Sequence, residues 1–166
     1  MDKEKTMHIT NSLRESFRSG VSKLAHRSCY CYTQDEQGHW VIYCPAAKTV
    51  CWIFERYLAD NGLSKIVDGL AGQNIPSPTD KSRRNREALL KLISDEKYTG
   101  IVRLQKTVVQ DDKQVRNRDE RQHIYENDHP AIISAETYAQ VQIMRIGRSQ
   151  CSGVARHYES QPEMFL

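Results

Sequence analysis

Residues 50–78, VCWIFERYLADNGLSKIVDGLAGQNIPSP, predict the end of one helix, a second short helix and a turn that contains two prolines. The first helix is expected to begin at Pro45, a favoured first helical residue, and to stop at Asn61-Gly62. Its apolar side chains recur at helical spacing, at Ala47, Val50, Cys51, Phe54, Tyr57 and Leu58. Ser64 is expected to cap the second helix, and the buried stripe of that helix is Ile66, Val67 and Leu70.

A third helix is predicted in residues 80–100, DKSRRNREALLKLISDEKYTG, with Asn85 as its N-cap. Leu89, Leu92 and Ile93 form its inner face, and Arg86, Glu87 and Lys91 point outward. The whole chain has a net charge of only +3, yet residues 81–106 carry eight Lys and Arg against three Asp and Glu. A basic block on an otherwise balanced domain is typical of a polyanion partner, although merely solvated faces have the same composition.

The second and third helices together form a helix-turn-helix candidate. In that motif the second helix lies in the DNA major groove, and its first residues reach base edges or phosphates. The connector, residues 73–84, is longer than the three or four residues of a tight motif. The sequence therefore predicts a site for double-stranded DNA formed by Arg83, Arg84, Asn85, Arg86 and Lys91, with Arg103 and Lys106 flanking it.

Short β-strands are predicted on both sides of this helical segment. Residues 29–43, CYCYTQDEQGHWVIY, show two β-prone runs around an acidic turn. A second hairpin is expected from the run at residues 98–109, a polar loop at 110–121 and the run at 122–127. The fold class is therefore α+β, mostly helical, with a helix-turn-helix-like core and short antiparallel β-hairpins.

Two further helices are predicted near the ends of the chain. Leu13, Phe17, Val21 and Leu24 mark an amphipathic helix near the start, and Ser134 caps a helix that extends to about Ile146. The tail from Gly147 lacks sustained periodicity and is expected to be loose or packed on a partner.

The order of these elements resembles the recombinase domain of the large serine recombinases, the transposon and phage integrase type of site-specific recombinase. Four segments carry the resemblance, in the family's order and spacing: CYCYTQDEQGHWVI, VCWIFERYLADNGLSKIVDGLAGQNIPSP, LLKLISDEKYTG and NDHPAIISAETYAQVQ. The chain departs from the family at Cys31, where Gly is usual in a Tyr-Gly-Tyr start, and at Arg84, where a Trp commonly opens the recognition helix. Asp95-Glu96 also stands where Asn-Pro is usual.

The resemblance implies a division of the chain and a role for each part. Residues 1–28 are expected to continue a linker helix from a catalytic domain, residues 29–147 to form the recombinase DNA-binding domain, and residues 148–166 to lead toward a zinc ribbon. Neither neighbour is present in this sequence, and no segment resembles the family's serine nucleophile site. The fragment itself is therefore expected not to be an enzyme, whereas the full protein is expected to recombine DNA and to self-associate on it.

Other chemistry is less well supported by the sequence. His26, Cys29, Cys31 and Cys44 lack a second pair with zinc-site spacing, and Cys151 has no following cysteine, so neither a metal nor another cofactor is expected. His129 has no evident nucleophile partner and is expected to be structural. No apolar run could span a membrane, and the polar start does not form a signal peptide, which favours a cytoplasmic location.

Three functions remain open from the sequence. The first is a DNA-binding domain that recognises half of an attachment site for integration or excision. The second is a freestanding helix-turn-helix DNA-binding regulator. The third is a protein-interaction module whose basic face is incidental. Preference for an inverted-repeat attachment site would distinguish the first from the second, and loss of all salt dependence in DNA binding would favour the third.

Overall fold

Three consecutive helices form where the apolar stripes predict them. A computed structural model of the chain describes residues 15, 16, 18, 29–77, 84–110, 113–117 and 122–159. The helices are α1 (Cys44–Leu58), α2 (Leu63–Gly72) and α3 (Arg86–Ile93), and a fourth, α4, comprises Ala135–Glu159. Short antiparallel strand pairs make up most of the remaining regular structure, which confirms the predicted mostly helical α+β class.

The chain divides into two compact units, one of Met1–Ala47 with Glu96–Ile132 and the other of Lys48–Asp95 with Ile133–Leu166. We call them the strand unit and the helical unit. The predicted amphipathic helix near the start falls mostly on residues outside those described, although Glu15, Ser16 and Arg18 are helical. Within the described part of the chain, no helix is both long and apolar enough to cross a lipid bilayer.

The core of the helical unit confirms most of the predicted apolar stripes. Tyr57, Val67 and Leu89 are each at most 3% exposed. The largest side chains buried almost completely are Phe54, Ile53, Ile66, Leu70, Leu89, Ile93, Val50 and Val141. Ile53 was not part of the predicted stripe of α1, yet it is fully buried. The short helix α3 packs against α2 and α4, as expected for an eight-residue helix that could not persist alone.

The helix termini follow the predicted caps at two of three positions. The side-chain oxygen of Asn85 accepts a hydrogen bond of 3.0 Å from the Glu87 amide, and Ser134 Oγ accepts one of 3.1 Å from the Thr137 amide. Ser64 is not the cap of α2, because that helix begins at Leu63 with Gly62 as its N-cap residue. Only four residues separate α1 from α2, and the N-cap lies two residues earlier than predicted, so Ser64 lies in the first turn of α2.

Helix α4 is longer than predicted. Its backbone continues from Ala135 to Glu159, whereas the sequence predicted an irregular tail from Gly147. A helix that is already nucleated extends at little cost, so the added turns need no apolar stripe of their own. The absence of periodicity was therefore a poor signal for the end of this helix.

The strand unit contains three two-stranded antiparallel pairs. β1 (Tyr32–Gln34) pairs with β2 (Trp40–Ile42), which confirms the first predicted hairpin. β3 (Val102–Leu104) pairs with β6 (His123–Tyr125), and β4 (Thr107–Gln110) pairs with β5 (Lys113–Arg116). The prediction of a polar loop at residues 110–121 was therefore wrong, because this part contains β5. A backbone ladder forms there without the alternating apolar pattern that identifies half-buried strands.

An aromatic cluster with a histidine forms the core between β1, β2 and the segment before α4. The ring of His129 meets the Tyr32 ring edge-on at 4.8 Å between centroids and lies 5.3 Å from the Trp40 ring. Its Nε2 atom lies 2.6 Å from the carbonyl oxygen of Lys97, and its Nδ1 atom lies 3.1 Å from Asp128 Oδ2. The side chain is 1% exposed. His129 is thus a buried packing residue, placed away from solvent on every side.

Candidate nucleic-acid interface

The predicted DNA site is centred on the first turn of α3. Asn85 and Arg86 are exposed there, and Lys91 is exposed one and a half turns further along. Asn85 uses its side-chain oxygen to cap the helix, which fixes the direction in which α3 begins. Arg86 and Lys91 are therefore carried on an outer surface of the helical unit by a helix whose inner face is fixed in the core.

Arg84 lies in a different environment from its neighbours. It is only 5% exposed, and its Nη2 atom donates a hydrogen bond of 3.0 Å to the carbonyl oxygen of Pro76. The bond ties Arg84, two residues before α3 begins, to Pro76 in the segment that follows α2. The Arg84 side chain therefore packs inside the helical unit instead of extending into solvent. Arg83 lies outside the described residues.

The two flanking cations belong to the strand unit. Arg103 is exposed on β3, and its Nη1 atom donates a hydrogen bond of 3.3 Å to Gln122 Oε1 across the strand pair. Lys106 Nζ lies 2.5 Å from Glu96 Oε1, and the side chain of Glu96 is only 15% exposed. The charge of Lys106 is thus paired with a nearby carboxylate, whereas Arg103 makes a neutral contact.

A cleft of about 830 Å³ in the helical unit brings together residues that the sequence did not group. Its lining includes Arg86, Glu87 and Leu90 from α3, Arg145 and Arg148 from α4, and Tyr57 from α1. Three arginines thus line one cavity, whereas the sequence placed Arg148 in an irregular tail. The i, i+3 spacing of Arg145 and Arg148 was the available signal, but it required α4 to be recognised as continuous beyond Gly147.

Arg148 is fixed in place by several contacts at once. Its Nη2 atom donates to Asp60 Oδ1 at 2.6 Å, its Nη1 atom donates to the carbonyl oxygen of Asn61 at 3.2 Å, and its guanidinium lies 4.3 Å from the centre of the Tyr57 ring. Burial acts to lower the pKa of Arg148, but hydrogen bonds to Asp60 and Tyr57 outweigh that effect and raise its pKa above the ordinary value. This arginine therefore stays charged and joins α4 to the end of α1.

Arg145 is held in place by the amide side chain of Gln142. Its Nε atom donates a hydrogen bond of 2.9 Å to Gln142 Oε1, and Gln142 Nε2 donates one of 2.7 Å to the carbonyl oxygen of Ile93. Ile93 is the last residue of α3, so the orientation of Arg145 is set by the helix that also carries Arg86.

His26, Cys29, Cys31 and Cys44 are the residues of the sequence that could have formed a metal site. In the parts of the chain that the structure describes, no three His, Cys, Asp or Glu side chains come close enough together to hold a metal ion. Cys29 and Cys31 are buried, Cys44 is exposed, and His26 lies outside the described residues.

A family model described as Recombinase matches residues 45–148, which is more than half of the chain. The chain belongs to the Recombinase family. The match includes α1 except for its first residue, Cys44, and all of α2 and α3, and it ends within α4 at Arg148. All the described residues of the candidate site therefore lie inside the Recombinase region.

A solved structure described as "Crystal Structure of a LSR-DNA Complex" is also similar, with 16% sequence identity and a TM-score of 0.45. The similarity covers 70% of this chain and 31% of the solved chain, so the Recombinase chain described here spans about a third of that protein's length. A search of curated proteins gave no match.

Proposed function

We propose that this chain is the DNA-binding part of a site-specific recombinase and that it holds one half of an attachment site. The observation that carries the proposal is the Recombinase match over residues 45–148. In its support, the matched region contains a short helix, α3, whose inner face is fixed in the core and whose outer surface carries Arg86 and Lys91. A helix of this kind can enter the major groove of duplex DNA.

The predicted site residues take different parts in this proposal. Arg86 and Lys91 are the main contacts on α3, and Asn85 sets the start of the helix. Arg83 is a further proposed contact that rests on the sequence alone. Arg84 acts as a positioning residue, since its guanidinium is engaged with the proline turn inside the unit. Arg103 and Lys106 flank the site, and Lys106 must be shared with Glu96 if it contacts a phosphate.

The proposal concerns binding without cleavage by this fragment. Strand cleavage in a serine recombinase needs a serine nucleophile, and the resemblance includes no such segment here. The full protein is proposed to join and cut DNA as a self-associated assembly in the cytoplasm. The fragment alone is proposed to bind duplex DNA without forming a covalent adduct.

The test is a selection of bound duplexes from a randomised DNA library with the purified chain. We expect enrichment of a sequence that recurs as an inverted repeat at an attachment site, and a log-log salt slope of about −4 for four to five phosphate contacts. The Arg86→Ala, Lys91→Ala double variant is expected to lose at least tenfold in affinity. Lys48→Ala, which removes an exposed charge of the same unit, is the matched control.

Two results would contradict the proposal. One is the absence of duplex binding at low salt, and the other is enrichment of a single promoter-like operator with no inverted repeat at a mobile-element end. The second result would favour a freestanding regulator. A covalent DNA adduct that disappears when a serine of this chain is replaced would show that the fragment is itself an enzyme.

A further inference from the structure

The arginine cleft of the helical unit has an unusual charge balance. Arg86, Arg145 and Arg148 all line it, and Glu87 is the acidic residue of the lining. Like charges gathered around one cavity repel each other and oppose folding, unless an anion offsets them. Asp60 neutralises part of the charge of Arg148, but its contact lies on the side of α4 that joins α1. Counted together, the three arginines exceed Glu87 and Asp60 by one positive charge, which an anion bound in the cleft would offset.

We propose that this cleft binds a phosphate group of the DNA backbone and that Arg145 makes the principal contact. This inference rests on the proposed function, and it adds a second contact surface, on α4, to the one on α3. It assigns a role to Arg145 and Arg148, which were not among the residues predicted from the sequence.

Arg145 is oriented before any ligand binds. Its Nε atom is held by Gln142, which is in turn held by the Ile93 carbonyl at the end of α3. That arrangement uses one of the five donors of the guanidinium, and the edge formed by the two Nη atoms suits the bidentate geometry of phosphate binding. Because the side chain is already ordered, little conformational entropy is lost when an anion binds.

Arg148 and Arg86 support the same contact from the two sides of the cleft. Arg148 contacts Asp60, the Asn61 carbonyl and the Tyr57 ring. These contacts fix its position, so it places a constant positive charge at one side of the cleft. Arg86 begins α3, and Leu63, the first residue of α2, also lines the cavity. The partial positive charges at these two helix starts add to the field of the arginines, which remain its main source.

The DNA backbone is the ligand that the geometry favours. Arg86 both lines the cleft and lies on the exposed surface of α3 that is proposed to meet the major groove. A phosphate in the cleft would then belong to the same duplex that α3 contacts. Phosphate contacts carry no sequence information, so the cleft is expected to strengthen binding to every duplex equally.

The experiment uses the whole chain and a 30-base-pair duplex of random sequence, with binding measured by fluorescence anisotropy at several NaCl concentrations. Arg145→Gln is expected to weaken binding about tenfold at low salt and to reduce the magnitude of the log-log slope by about 0.9. Arg145→Lys is expected to keep the slope, because it keeps the charge. Lys48→Gln, the control, removes an exposed charge on α1 and is expected to leave the slope unchanged.

A measurement on the unmodified chain removes any dependence on variant folding. Arginines are treated with an arginine-specific dicarbonyl reagent with and without the duplex, and modification is quantified by peptide mass spectrometry. Protection of Arg145 by the duplex, with unchanged modification of the exposed Arg56 on α1, is the expected result. Equal modification of Arg145 in both samples would overturn the inference.

The outcomes separate this inference from the proposed function. If the unmodified chain binds the duplex with a steep salt slope and Arg145→Gln binds identically, the phosphate cleft is refuted while DNA binding stands. If inorganic phosphate alone protects Arg145 but the duplex does not, the cleft is a site for a free anion and the inference is wrong. If the unmodified chain binds no duplex at all, the proposed function is refuted, and this inference, which rests on it, is refuted with it.

Discussion

The backbone of Cys31 offers the sharpest test of how this structure is held together. Its φ angle is +85°, in the left-handed region that costs an L-residue with a Cβ atom about 1–2 kcal/mol and that costs glycine almost nothing. The turn cannot easily relax, because the Tyr43 amide donates a 2.7 Å hydrogen bond to the Cys31 carbonyl oxygen. The side chain is 4% exposed, so burial of the thiol also contributes to the stability of the folded state.

Two substitutions separate the backbone strain from the lost sulfur. Cys31→Ala removes the sulfur and keeps the strained Cβ, whereas Cys31→Gly removes both. At an ordinary position glycine is about 0.5–1 kcal/mol less stabilising than alanine. Relief of about 1–2 kcal/mol of strain reverses that order. We therefore expect Cys31→Gly to be more stable than Cys31→Ala by about 1 kcal/mol.

The assay is urea denaturation followed by the fluorescence of Trp40, which lies in the same unit, in a Trp52→Phe background. The matched control is the same pair of substitutions at Cys51, in the middle of α1, followed by the fluorescence of Trp52 in a Trp40→Phe background because Cys51 and Trp52 both lie in the helical unit. There the helix favours alanine over glycine by about 1 kcal/mol, so the order of stability should be opposite. If Cys31→Ala equals or exceeds Cys31→Gly in stability, the left-handed turn is not a source of strain and the reasoning is refuted.

Three other predictions follow from single contacts. Gly100→Ala is expected to cost about 2 kcal/mol or more in urea denaturation, because φ is +77° there and a Cβ would lie 2.7 Å from the His129 carbonyl oxygen. Arg84→Met is expected to cost about 1–3 kcal/mol in the same assay, since it keeps much of the buried volume but loses the bond to the proline turn; a surface role would leave stability unchanged. Burial and then the charge of Glu55 raise the pKa of Cys51, so iodoacetamide at pH 8 should alkylate it more slowly than the exposed Cys44, as measured by mass spectrometry.

Local chemistry accounts for the parts of the fold that could be predicted. The stripes of α1 and α2 are periodic, and the Asn85 cap needs only its own backbone and the amide two residues later. The first hairpin is likewise closed within five residues, where Asp35 Oδ1 accepts hydrogen bonds from the amides of Gln37 and His39. Elements that depend on such short-range contacts leave a visible pattern in the sequence.

Features that depend on distant partners left no such pattern. Asn117 is one example, since its side chain is buried by donating a 2.8 Å hydrogen bond to the carbonyl oxygen of Gln105, twelve residues earlier. β5 is a different case: its partner β4 is local, with Gln110 opposite Lys113, but its sequence KQVR lacks the alternating apolar pattern that identifies a half-buried strand. The arginine cleft needs three helices to assemble before Arg86 and Arg145 share one cavity. No spacing rule within a single segment could have identified it.

The position of Arg84 shows why a count of local charge is a poor guide to a binding surface. The chain resembles a family in which Trp commonly occupies this position, and a position suited to Trp is one where a large side chain packs. Here the arginine stem fills that buried position, and the guanidinium bonds to the Pro76 carbonyl oxygen.

The charge that a DNA phosphate can meet is therefore distributed differently from the charge in the sequence. In the basic block, Arg84 is engaged inside its unit and Lys106 is paired with Glu96, so two of its positive charges already have partners in the fold. Arg145 lies in a segment whose net charge is negative, yet the fold brings it to the same cavity as Arg86. The cationic side chains best placed to bind an added anion are thus those that are neither buried nor paired with an anionic partner in the folded chain. For this chain that criterion favours Arg86, Lys91 and Arg145 over Arg84 and Lys106, which the sequence had also placed in the DNA site.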